Sequence, residues 1–247
     1  MDLTGRTILV TGASSGIGRE TALLLSQLNA RLILAARNRE RLEQTRAALE
    51  GAGHQVEGFD LTALDDVPAW IKELAARSGP LHGVVHSAGV YGVVPLRILT
   101  ASMLEETLRV NLGAALLLAK GFRQKGCHAD GASLVLLSSV AAWRGHAALS
   151  AYTASKSALL GLTRSLAMEL AREGIRVNCV APGLVATEMS TQVEAQAPSG
   201  ITSLEGAHPL GIGRPRDVAH GIAFLLSDAA RWITGASLAI DGGYTAH

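Results

Sequence analysis

The chain has 247 residues, 48% hydrophobic and 17% charged, with 27 glycines and 7 prolines. That apolar content excludes a disordered chain, glycine without a fixed period excludes a fibrous one, and the length fits one large domain over residues 1–247. Lysine and arginine total 22 against 21 acidic residues, a net charge of +1, and with no basic stripe nothing points to a nucleic-acid partner.

Short aliphatic runs alternate with longer stretches of helical periodicity. Strands are predicted at Thr7–Val10, Arg31–Ala35, Gln55–Phe59, Gly83–His86, Ser133–Leu137, Arg176–Val180 and Ser237–Ile240. Helices are predicted at Arg19–Leu28, Arg39–Leu49, Met103–Phe122, Ser150–Arg172 and Pro215–Leu226. Most of the strands are apolar on both faces, which suits a parallel sheet covered by helices on both sides. Repeated strand–helix alternation implies right-handed βαβ units and hence a Rossmann-type, doubly wound, seven-stranded parallel α/β sheet. One stretch breaks the rhythm, residues 184–213, where Pro198 and Pro209 sit among Ser, Thr and Gly. A connection that long reads as a substrate lid. The alternative is a disordered loop, against which Ile201, Leu204 and Leu210 count.

The N-terminal residues Met1 to Arg6 lack the basic-then-apolar layout of a secretion signal, and no apolar run approaches the ~18 residues that span a bilayer. Cys127 and Cys179 lie far apart and without metal-type spacing, which indicates a reducing compartment; Cys179, within Val177–Ala181, reads as a small buried hydrophobe. A cytoplasmic protein without a membrane partner is expected.

Directly after the first predicted strand comes Thr11-Gly12-Ala13-Ser14-Ser15-Gly16-Ile17-Gly18, running into a helix. Gly12 permits a tight turn, Gly16 lets the backbone approach a pyrophosphate, and Gly18 lets the helix pack close to the sheet. The helix N-terminus then offers unpaired N–H groups to phosphate. A glycine turn without a ligand is the alternative, and the strand-to-helix context argues against it. The spacing Gly-x-x-x-Gly-x-Gly resembles that of the short-chain dehydrogenase/reductase family.

The second strand ends Ala35-Ala36-Arg37-Asn38-Arg39, where NAD enzymes place an acid on the ribose 2′-hydroxyl and an arginine suits a 2′-phosphate. Arg37 offers a planar fork of donors and Arg39 a second cation, so NADP(H) is the expected cofactor. Arg41 reads as part of a solvated helix face. The resemblance implies further cofactor contacts: Asp60-Leu61 at the adenine ring, and Ser87-Ala88-Gly89 after the fourth strand, where His86 and Ser87 replace the family's two asparagines. It also implies that Pro182-Gly183 and Val185 pass the nicotinamide and that Thr187 contacts its carboxamide and the phosphates. His86 reads as a structural donor, since histidine can still hydrogen-bond the backbone there.

Ser139 closes the fifth strand, Tyr152 follows thirteen residues later, and Lys156 four residues after that. The i, i+4 spacing puts phenol and ammonium on one helix face, and Ser139 stands at the carboxyl edge where open α/β sheets bind ligands. A phenol with a pKa near ~10 is a poor acid at neutral pH. A cation about 4 Å away at an effective dielectric of ~20 contributes roughly 4 kcal/mol, about three pKa units, so Lys156, helped by the positive nicotinamide of the oxidised cofactor, is expected to bring Tyr152 toward the working pH. Tyr152 would then exchange a proton with a carbonyl oxygen, Ser139 would hold that oxygen, and Tyr152 and Lys156 would also contact the cofactor. Asn111 matches the family position that supports a proton relay through Lys156; local backbone bonding is the alternative. The eight histidines show no metal-ligand spacing, so no metal is expected. His146, between Ser139 and Tyr152, either borders the substrate or is structural.

The resemblance spans the chain as far as Asp241-Gly242-Gly243 and is nearest to 3-oxoacyl-acyl-carrier-protein reductases. It implies a homotetramer. Asp130 and Glu173 stand where carrier-reducing relatives often have arginine, with Arg123, Lys125 and Arg172 as nearby compensation. Val90, Tyr91, Trp143, Leu149 and Met189 are expected near a pocket that suits an acyl chain, a ketone or an aromatic carbonyl. Three readings stand open: an NADPH-dependent 3-oxoacyl reductase acting on a thioester-linked substrate; an oxidoreductase of another small alcohol, such as a sugar, polyol, steroid-like or polyketide intermediate; and a dinucleotide-binding regulator without turnover.

Overall fold

The computed structural model describes residues 1–188, 190–191 and 206–246. Seven strands, β1 (Thr7–Thr11), β2 (Arg31–Ala36), β3 (Gln55–Gly58), β4 (Leu81–His86), β5 (His128–Leu137), β6 (Arg176–Pro182) and β7 (Ser237–Ile240), form one sheet in the order β3-β2-β1-β4-β5-β6-β7. Every neighbouring pair is parallel. The order reverses between β1 and β4, and that switch point opens a crevice at the carboxyl edge. The helices are α1 (Gly16–Gln27), α2 (Arg39–Ala47), α3 (Val67–Ser78), α4 (Ala101–Leu108), α5 (Ala114–Phe122), α6 (Ser150–Leu170) and α7 (Pro215–Leu226).

The two-residue period of each strand explains why the strands read as apolar throughout. Leu9, Ile33, Val84 and Leu134 face a layer built from α3, α5 and α6, with Ile71, Phe122 and Leu159 among its buried side chains. Their neighbours Ile8, Leu32, Val85 and Val135 face a second layer, built from α1 and α7 around Leu25 and Ile222. Both faces are therefore dry, as a doubly wound sheet requires.

Three local features depart from expectation. Helix α3 was not foreseen, although Pro68 stands in its first turn and Trp70, Ile71 and Leu74 give it a buried face. The single helix expected over Met103–Phe122 is two helices joined by a π-turn at Arg109–Gly113. Local apolar period is blind to that extra residue, which turns Asn111 fully inward. Half of the predicted lid, residues 189 and 192–205, lies outside the described residues; its return is described from Gly206 and re-enters the fold at the Val185–Gly213 bridge. Among the described residues no helix is long and apolar enough to cross a membrane.

Candidate active site

A cleft of about 600 Å³ runs along the carboxyl edge of the sheet, lined at one end by the β1–α1 turn and at the other by Ser139 and Tyr152. This volume suits a small-molecule or cofactor site. Gly12 has φ +68°, and a Cβ there would lie 2.8 Å from the amide nitrogen of Ala88. A Cβ at Gly18 would collide with the Gly12 carbonyl and the Ser87 hydroxyl. Ser87 in turn donates from Oγ to the Thr11 carbonyl (2.6 Å), so the ends of β1 and β4 and the start of α1 are drawn into one close-packed turn. Ser15 caps α1 without a side-chain bond, and no acid stands in the first turn. The positive helix end is left to an external anion, so the turn suits a dinucleotide pyrophosphate. Ser14, Ser15, Gly16 and Ile17 line the cleft there.

Further along, Arg37, Asp60 and Leu61 line the cleft. The Thr62 backbone N–H holds the Asp60 carboxyl below its ordinary range, with Arg37 adding to the effect. Arg39 is exposed and does not line the cleft, whereas Arg41 does. Arg41 donates from Nη2 to both oxygens of Glu188, at 2.5 and 2.6 Å, bridging α2 to the segment that follows β6. The reading of Arg41 as merely solvated is thus corrected; its partner is 147 residues distant, beyond the reach of local pattern. Ala88, Gly89, Pro182, Gly183, Val185 and Thr187 complete the wall. A Cβ at Gly183 would lie 2.7 Å from Nε2 of His208, which accepts the Leu184 N–H at 3.0 Å.

Ser139 ends its strand as the cap of a 3₁₀ turn, its Oγ accepting from the Ala141 N–H at 3.2 Å. Tyr152 stands in the first turn of α6, with Lys156 one turn on. Two bonds tie α6 to the strand end: Ser138 Oγ donates to the Lys156 carbonyl (2.7 Å) and Ser157 Oγ to the Ala142 carbonyl (3.1 Å). Burial pushes the Tyr152 phenol up to about 12; its hydrogen bond with Ser139 pulls the other way and Tyr91, edge-on at 4.7 Å between ring centroids, adds to the rise. Burial likewise draws Lys156 down to about 8. Its ammonium donates to the Leu137 carbonyl at 2.8 Å and stands 5.8 Å from the phenol ring centroid.

Asn111 lies behind the wall. Its Oδ1 accepts from the Val90 N–H (2.8 Å), while its Nδ2 donates to the Val90 carbonyl (3.0 Å) and to Ser155 Oγ (2.9 Å). A Cβ at Gly89 would sit 3.1 Å from Asn111 Oδ1 and 3.3 Å from Lys156 Nζ, so Gly89 lets the two groups close on the same backbone. His86 is buried with Nδ1 3.1 Å from Thr11 Oγ1, the structural placement read from its sequence position. His146 lines the cleft with Nε2 3.2 Å from the Tyr244 hydroxyl, and Tyr244 is a site residue that sequence reasoning missed. Val90, Tyr91 and Leu149 line the cleft; Trp143 does not, being 44% exposed, and Met189 lies outside the described residues.

Arg123, Lys125 and Arg172 precede β5 and β6 and so lie at the amino edge of the sheet. One strand of about 20 Å separates that edge from the cleft of the same chain. Arg123 is moreover paired there with Glu173 (2.5 Å) and Glu169 (3.7 Å). Among the described residues no group of three His, Cys, Asp or Glu is placed to hold a metal.

The enoyl-(acyl carrier protein) reductase family model matches residues 12–245. The chain is 36% identical over 245 residues to cis-4-hydroxycyclohexanecarboxylate dehydrogenase of Sinomonas cyclohexanicum, covering 98% of this chain and 97% of that one. It is 32% identical over 244 residues to a 3-oxoacyl-[acyl-carrier-protein] reductase of Rickettsia conorii, covering 98% of both. A structure provisionally assigned as an NAD(P)-dependent gluconate 5-dehydrogenase from Beutenbergia cavernae, with NADP bound at low occupancy, superposes with a TM-score of 0.90 at 32% identity, covering 100% of this chain and 99% of that one. A carboxyl-edge cleft with a glycine turn at one end and a serine, a tyrosine and a lysine converging at the other agrees with these likenesses: the chain belongs to the short-chain dehydrogenase/reductase family of oxidoreductases.

Proposed function

We propose that this protein is an NADP(H)-dependent oxidoreductase that interconverts a carbonyl and a secondary alcohol on a free small molecule. The observation that carries the reading is the convergence of Ser139, Tyr152 and Lys156 on the cleft that the glycine turn opens. A bound nicotinamide dinucleotide supplies the hydride. Tyr152, protonated below about 12, gives its phenolic proton to the carbonyl oxygen. Ser139 donates to that oxygen and holds its developing charge. Lys156 fixes the end of β5 through Leu137 and supplies the local positive charge while protonated. Asn111 pins Val90 to α6, which keeps the wall beside Lys156 in register and supports its placement in the proton path. These roles make a regulator without turnover the poorer reading.

Arg37 on the cleft wall, with no acid at the end of β2, supports NADP(H) over NAD(H). Within the substrate class, the Sinomonas relative points to a compact cyclic hydroxy acid. The second reading, a 3-oxoacyl thioester reductase, is favoured by the apolar stretch of Val90, Tyr91, Val140 and Leu149 and by the Rickettsia relative. The cations that would dock a carrier lie at the opposite edge of the sheet. A homotetramer is supported by exposed apolar side chains on two faces: Leu116 and Met168 on α5 and α6, Trp232 and Leu238 beside and on β7.

The test follows NADPH absorbance against 4-oxocyclohexanecarboxylate, acetoacetyl thioesters and sugars, with NADH run in parallel. Tyr152→Phe is expected to abolish turnover while NADPH still binds by fluorescence titration. Substantial turnover by that variant would overturn the assignment, and a strong preference for NADH would overturn the cofactor.

A further inference from the structure

Beyond the reacting groups, the cleft changes character. Its wall is apolar along Val90, Tyr91, Val140 and Leu149 and then ends on His146, His208 and Tyr244. Tyr244 comes from the C-terminal turn and is 7% exposed. Its ring stacks on His208 at 4.6 Å between centroids, and its hydroxyl lies 3.2 Å from His146 Nε2. The Arg144 guanidinium carbon stands 5.6 Å from the centre of the same ring.

The proton count of the His146–Tyr244 pair matters. A neutral imidazole and a phenol carry one N–H and one O–H between them, and the bond that joins them uses one. Whichever tautomer is present, one donor is left over: the tyrosine hydroxyl, or Nδ1–H of the histidine. The field around that donor is positive. Arg144 is half-buried and, among the described residues, has no carboxylate within 4.0 Å, whereas Arg6, Arg41, Arg77, Arg123 and Arg216 each hold one from another part of the chain. The nearby Asp241 is occupied by its own turn, accepting from the N–H groups of Gly243 (3.0 Å) and Thr245 (2.8 Å) and from the Thr245 hydroxyl (2.6 Å). A spare donor near a cation that, among the described residues, has no carboxylate partner, at the end of an apolar slot, suits an anion with an apolar body.

We propose that Tyr244 and His146, which line the cleft, anchor a carboxylate carried by the substrate at a distance from its reacting carbonyl, with Arg144, which stands over the Tyr244 ring and does not line the cleft, adding positive charge. The inference rests on the oxidoreductase reading and adds the substrate's class, a compact oxo acid and its hydroxy-acid counterpart. Tyr244 is the positioning element. Its hydroxyl meets the β5–α6 segment at His146 and its ring meets the returning segment at His208, so the C-terminal turn sets the far wall of the cleft.

The experiment compares kcat/KM for 4-oxocyclohexanecarboxylate and its methyl ester with NADPH, for the natural chain and for Arg144→Met and Tyr244→Phe. The natural chain is expected to prefer the acid, and each variant is expected to lower the acid-to-ester ratio by about tenfold or more, the scale of a lost hydrogen bond to a charged group. NADPH titration of each variant should match the natural chain, which separates a lost anchor from a lost fold. An ester turned over as well as the acid, or a ratio unmoved in both variants, overturns the anchor and leaves the oxidoreductase reading intact. Turnover of acetoacetyl thioesters or sugars with none of either cyclohexane compound overturns the anchor alone, and no turnover of any of these carbonyls by the natural chain overturns both.

Discussion

His86 should make the fold acid-sensitive in a way that one substitution can isolate. It is 1% exposed at the end of β4, and burial, aided by the charge of Lys156, lowers its pKa from 6.5 to about 3. Between those values the unfolded chain binds a proton at this residue and the folded chain does not. Stability therefore rises with pH across the window, is fully present above 6.5, and is lost progressively as the pH falls toward about 3. The slope is ~1.4 kcal/mol per pH unit, so His86 alone removes roughly 2 kcal/mol between pH 7 and pH 5. That is a sizeable part of the ~5–15 kcal/mol by which domains are stable. Asparagine at this position keeps a hydrogen-bonding side chain and cannot titrate. Urea unfolding of the natural chain and His86→Asn, at one protein concentration and at pH 7, 6 and 5, gives the difference directly, because the carboxylates common to both chains cancel. The natural chain is expected to lose about 2 kcal/mol more than the variant over that range. Parallel loss in the two chains would mean that His86 is hydrated or charged in the fold, and the reasoning would fail.

Gly18→Ala places a methyl group against the Gly12 carbonyl and the Ser87 hydroxyl, so it should cost about 1–3 kcal/mol in thermal melts and abolish NADPH binding; titration at natural affinity would refute it. Lys156 loses its charge through pH about 8 while Tyr152 stays protonated to about 12, so kcat/KM for carbonyl reduction should fall as the pH passes about 8; a profile flat to about pH 10 would count against the role given to Lys156.

The glycine turn and the Ser139, Tyr152 and Lys156 end of the cleft were legible in the sequence because these residues lie on or beside elements with short-range signatures. The glycine turn follows a strand and opens a helix, and Tyr152 and Lys156 share a face by spacing alone. Packing decides what was not legible. Asn111 looks like part of one long helix until the π-turn swings it onto Val90 and Ser155. Arg41 looks solvated until Glu188 arrives from the far side of the cleft. Arg123, Lys125 and Arg172 read as compensation because they lie close in sequence to Asp130 and Glu173, yet in a parallel sheet residues before a strand and residues after it stand at opposite edges.

The same division explains why the chemistry is better defined than the substrate. Ser139 and Lys156 are held by bonds to β5 and α6, whose inward faces belong to the dry core, so their geometry follows from the packing of the whole sheet. The far wall has no such backing. It is assembled from three segments, around His146, His208 and Tyr244, whose contacts include the Tyr244 hydroxyl, stacked rings and the Leu210 N–H donating to the Gly242 carbonyl at 3.0 Å. Changing a residue in one of these segments leaves the core untouched while altering what the cleft can hold. A family that keeps one reaction and varies its substrates needs that separation. On the anchor proposed above, the choice of substrate falls on Tyr244, which lies outside that core.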